Sequence, residues 1–124
     1  MARKAQIRQG DVLIERVDNV LSPEAKLRPR DHGRVVLAYG ETSAHAHALD
    51  GPLTELFEER DGVLYLQVGA SDTLRSVGTQ SMQDAGRHAP ILLAPGLYHV
   101  MDPAKAGHAS QREYAPGEIH RVTD

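Results

Sequence analysis

The chain contains no cysteine and no tryptophan, and only one phenylalanine. Without cysteine there is no disulfide framework, no thiolate zinc site, no iron–sulfur cluster and no thiol nucleophile. Any metal bound here must be held without thiolate sulfur. Long apolar runs are missing as well. The stretch Ile91 to Ala94 is among the longest, whereas a membrane helix needs about 20 apolar residues. The basic N-terminus, with Arg3, Lys4 and Arg8, is followed by no apolar signal core, and no lipidation motif is visible. These absences make the cytoplasm the expected compartment and leave no expected membrane partner. Neither sign of charge dominates: 14 basic and 17 acidic residues give a net charge of -3, too balanced for a large nucleic-acid footprint. Phosphate-binding glycine loops are absent. Ser43, Ser76 and Ser81 lie in no Gly-x-Ser-x-Gly elbow. Glu58 and Glu59 are neighbours in the chain, so on a strand they face opposite sides and make a poor acid/base pair.

What is present is 124 residues, 40% apolar and 25% charged, enough for one globular domain over residues 1–124. Glycine and proline are spread evenly, with no linker between them. Short runs with a two-residue period recur: Asp11 to Val17, Arg34 to Tyr39, Ala44 to Leu49, Leu53 to Glu58, Val63 to Val68 and Thr73 to Val77. Ile91 to Leu93, Leu97 to Val100, Gln111 to Tyr114 and Ile119 to Val122 follow. Ser22-Pro23-Glu24-Ala25 has the residues of one helical turn. Arg60-Asp61-Gly62 reads as a hairpin turn, and residues 78–89 as a loop. Amphipathic segments of 3.6-residue period are absent. The pattern predicts an all-β fold, a small cupin-like barrel or a β-sandwich of seven to ten short antiparallel strands.

Histidine is the surplus: seven, against four tyrosines and one phenylalanine. In Ala44-His45-Ala46-His47-Ala48, residues two apart on a strand point the same way. Two imidazoles then sit side by side, with small alanines on the opposite face. Neutral imidazole suits zinc, copper, nickel and ferrous iron, so a divalent ion is the expected cofactor, its identity open between these. Further ligands must come from other segments. The candidates are His88, His99, Glu41 and Glu55. His32, His108 and His120 read as solvated.

Gly40 with His45-x-His47, Glu55 with Gly62, and Gly96-Leu97-Tyr98-His99 together resemble the two motifs of the cupin superfamily. The first motif here is one residue short before the histidines, and its glutamate comes late. That resemblance implies a metal-binding barrel with His45 and His47 as ligands and His99 as a third. A second likeness rests on Gly10-Asp11-Val12-Leu13, Gly40 to His47, His88 to Ile91, and Gln111 to Pro116. It is to small uncharacterised bacterial β-proteins, and it favours His88 over His99.

Three functional readings stand. In the first, His45, His47 and His88 or His99 hold an ion near one mouth of the fold. As an enzyme, such a centre needs an open position for water, dioxygen or a small-molecule ligand. In the second, the chain is a homo-oligomeric or protein-interaction module that pairs through edge strands. In the third, the basic head and the cluster Lys26, Arg28, Arg30 and Arg34 bind nucleic acid, although few aromatics are available for stacking.

Overall fold

The computed structural model describes residues 6–40, 45–86 and 88–101, together with the backbone of 120–122. Eleven strands form. They are β1 (Gln6–Gln9), β2 (Val12–Val17), β3 (Lys26–Leu27), β4 (Val35–Tyr39), β5 (His45–Leu49), β6 (Thr54–Glu58), β7 (Leu64–Val68), β8 (Asp72–Gly78), β9 (Ile91–Leu93), β10 (Gly96–Met101) and β11 (His120–Val122). Among the described residues there is no helix.

Ten antiparallel strands divide into sheets of six and four. The first sheet has the order β1-β2-β10-β7-β6-β3, and the second runs β9-β8-β5-β4, with β11 added parallel to β9. The all-β expectation holds, and its sandwich form is the one adopted. The sheets are not closed into a barrel, because each ends in its own edge strands.

Alternation explains the core. On β2, Val12 and Ile14 point inward; on β7, Leu66 and Val68; on β10, Tyr98. They meet Val35, Leu49, Leu74, Ile91 and Leu93 of the second sheet, so one aliphatic cluster joins the two layers. Each fully buried side chain of this kind contributes about 1.5–3 kcal/mol. Tyr98 is the one aromatic in this cluster, and its hydroxyl donates to Ala94 O at 2.6 Å.

Several local features follow from side-chain chemistry. Gly62 adopts φ +85 in the β6–β7 hairpin, where Val63 N donates to Asp61 Oδ1. Residues 22–25 form a single turn closed by Ala25 N to Ser22 O, not the helical turn expected. The Ser22 hydroxyl and amide are both taken by the Glu59 carboxylate, so neither caps a helix. These bonds hold Glu59 below its usual carboxylate pKa. Three arginines of the basic cluster have intrachain partners. Arg28 pairs with Glu58, and Arg30 donates to Gly33 O, Gly51 O and Thr54 O. Arg34, 1% exposed, donates to Asp31 O, Gly78 O, Ser81 O and Thr79 O. The basic head at Arg3 and Lys4, Glu41, Ser43, His108 and the 111–116 segment lie outside the described residues.

Candidate metal centre

β5 is an inner strand of its sheet, hydrogen-bonded to β4 on one side and β8 on the other. Its two faces carry different chemistry. Ala46 and Ala48 face away from the main core and pack with Val77, Val36 and Met82. Met82 comes from the 79–86 loop, which can lie close because alanine leaves room. His45, His47 and Leu49 share the other face, and Leu49 joins the main core. The two-residue period therefore lines up two imidazoles at the end of the aliphatic cluster. His45 is 9% exposed and His47 2%.

His88 enters from the segment before β9, anchored by buried Ala89 and Ile91. Ring centroids are 5.4 Å apart for His45–His47, 5.5 Å for His47–His88 and 6.1 Å for His45–His88. One ring nitrogen from each lies within 4.8 Å of the others. Zinc–nitrogen bonds of about 2.0–2.1 Å put ligand nitrogens roughly 3.3 Å apart in a tetrahedron, so the three must draw together by about 1.5 Å at most to close on one ion.

The surroundings favour a neutral imidazole at His47. Burial pushes the His47 pKa down to about 4, helped by His88 and His45 and opposed by Asp11. His47 is thus a lone-pair donor at neutral pH. The orientation of its ring follows from Gln9, a buried polar residue on the inward face of β1. The Gln9 amide nitrogen donates to Leu74 O at 3.1 Å and to Ala89 O at 2.8 Å. Carbonyls only accept, so this fixes the amide, and its oxygen must face His47 Nδ1 at 2.8 Å. Nδ1 therefore carries the proton and donates, leaving Nε2 with the lone pair. A second partner fixing the tautomer is the usual arrangement for a metal-ligating histidine.

Two glycines shape the walls. Gly10, at φ +57 in the β1–β2 turn, lies against the cluster. A Cβ there would stand 2.8 Å from His88 Nε2 and 3.1 Å from His47 Nε2, so both nitrogens lie close to this backbone. At Gly40, a Cβ would overlap the His45 ring. Ser76 completes the inner face. It is the cross-strand partner of His47, so both side chains lie on the same side of the sheet. The Ser76 side chain is buried at 2% exposure, and among the described residues its hydroxyl has no hydrogen-bond partner.

Of the four histidines singled out from sequence, the structure brings together His45, His47 and His88. His99 lies on β10 in the six-stranded sheet, paired with Glu15 and Tyr65, its ring 5.5 Å from that of Tyr65. It neighbours Tyr98, which points into the core, so His99 faces the opposite side. Glu55 is exposed on β6, also in the six-stranded sheet. His32 is exposed, in a turn with φ 54, beside Asp31. Sequence reasoning missed Gln9, Gly10 and Ser76. The Gly10-Asp11 pair gave a signal, but as a strand opener only.

One family model, Domain of unknown function (DUF8820), matches residues 8–102, which contain all three histidines of the cluster. No curated protein and no solved structure matches the chain.

Proposed function

The chain belongs to the DUF8820 family, and we propose that it is a metal-binding β-sandwich in which His45, His47 and His88 hold one divalent ion. The convergence of three imidazole nitrogens within 4.8 Å of one another carries the reading. Four features support it. The donor set is all nitrogen, which suits zinc, copper, nickel or ferrous iron over magnesium or calcium. Gln9 presets the His47 tautomer for ligation. Gly10 keeps the space beside two Nε2 atoms clear of side chain. Asp11, close enough to oppose the fall in the His47 pKa, adds negative charge that favours a cation.

Three histidines leave at least one coordination position open, the pattern of catalytic rather than closed structural zinc sites. A bound ion there would act as a Lewis acid or activate a bound water. The cupin likeness supports the reading at His45 and His47, and departs from it at the third ligand, which is His88 here.

The test is elemental analysis of protein purified without a polyhistidine tag, followed by zinc and cobalt titration. Wild type should carry or take up about one ion per chain, and the His45→Ala/His47→Ala double variant none. Wild-type protein that neither carries nor takes up metal would overturn the proposal.

A further inference from the structure

Ser76 supplies an observation that ligation by three histidines does not use. Buried polar atoms in native proteins are nearly always hydrogen-bonded, and an exception calls for a ligand, ion or water. The Ser76 hydroxyl is such an exception, and no other buried side-chain polar atom among the described residues is left in this state. Its position is specific. The register sets Ser76 directly opposite His47, with Gly78 opposite His45. Opposed residues on an antiparallel pair have Cβ atoms about 4.5–5.5 Å apart. The hydroxyl is therefore a neighbour of the imidazole cluster on the inner face, and β5 and β8 hold it there as an inner strand pair of the sheet.

The charge of the centre defines what that hydroxyl would meet. Three neutral imidazoles bring no negative charge, so a divalent ion held by them keeps a net positive charge that the nearby Asp11 carboxylate offsets only in part. The open position then favours an anion, or a water that ionises readily. Serine has one O–H to donate, and a bond from it to a charged acceptor is stronger than one to a neutral group.

We propose that the fourth coordination position takes a small exchangeable anion, and that Ser76 Oγ–H donates to it. This rests on the metal reading and deepens it: the ligand class is a small monoanion such as hydroxide, azide or a carboxylate. Ser76 is the residue that holds the exchangeable ligand, while the histidines hold the metal.

The experiment uses the full chain loaded with cobalt(II), whose visible bands report coordination, and titrates it with azide. Azide should perturb the bands of wild type. Ser76→Ala should still take up about one cobalt(II) per chain, because the three histidine ligands are intact. Azide affinity should fall about tenfold or more, as expected for loss of one hydrogen bond to a charged group. Ser76→Thr, which keeps a hydroxyl, should restore most of the affinity. A Ser76→Ala variant that binds azide as wild type does would overturn the proposal, as would wild-type bands that azide leaves unmoved. Collapse of the Ser76→Ala fold would also count against it, since the hydroxyl would then have a structural partner. If wild type takes up no cobalt(II), the metal reading itself fails, and that is visible before Ser76 is altered.

Discussion

Gln9 holds three groups at once: the His47 ring, Leu74 O on β8, and Ala89 O next to His88. It thereby connects β1 of one sheet to both segments of the other that carry the clustered histidines. Gln9→Leu keeps the volume and removes all three bonds. Metal affinity should drop 10–100-fold, the usual effect of losing a ligand's orienting partner. The apo protein should lose about 2–3 kcal/mol, because two carbonyls and a ring N–H are left buried without partners. A chelator-competition titration and urea unfolding measure the two effects separately. His47 makes a second prediction, in pH. Its ordinary pKa is 6.5, and in the fold it is about 4. Above pH 6.5 the ring is neutral in both folded and unfolded chains and contributes no pH dependence. Between 6.5 and 4 the unfolded chain takes up a proton that the native state refuses, so stability falls as the pH falls. Below 4 the native ring is protonated too, and the loss stops growing at about 3 kcal/mol. Urea unfolding of apo protein across this window should show the slope, and His47→Gln should flatten it.

Among the elements, the loop after β8 depends on Arg34. This buried guanidinium collects Gly78 O, Thr79 O and Ser81 O from a position just before β4. It thus fastens the start of the segment that ends at His88. Arg34→Met should cost about 3 kcal/mol, since several buried carbonyls lose their donor. Amide exchange should rise across residues 79–86, and metal should bind less tightly. How the elements read from sequence follows the same physics. β2 and β4 to β10 each show in the period of their side chains or in flanking glycine and proline, and the structure places them within a residue or two. β1 did not show, because Gln6–Gln9 puts a glutamine on its buried face, and only the contacts of Gln9 across the sandwich explain it. β3 is two residues long, Lys26 and Leu27, too short for any period. The site divides likewise. His45 and His47 are local, two apart on one strand, and were legible. His88 was one of several candidates, distinguished by a likeness and not by spacing. Gln9, Gly10 and Ser76 act through tertiary approach, which leaves no mark on a local pattern.

At the scale of the molecule, one aliphatic cluster draws on both sheets, so the sandwich should unfold as a single cooperative unit. The three histidines are assembled only in that native state, so the proposed metal binding would add to its stability. At a free-metal concentration about 100 times Kd the gain is about 2.7 kcal/mol, which for a domain of this size raises Tm by about 10 °C. Calorimetry with zinc, and then with chelator in excess, should show the rise and its reversal; His88→Ala should show neither. The alternation His45-Ala46-His47-Ala48 on β5 has a further consequence. Slipping a strand by one residue sends every side chain to the opposite face. Here a slip would exchange imidazoles for methyl groups at the inner face and leave His88 without companions. A misregistered chain could still collapse, since alanine fits almost anywhere, but it would not bring the three imidazoles together for the proposed ion. Metal occupancy would then act as a proofreading signal, separating correctly threaded chains from compact impostors.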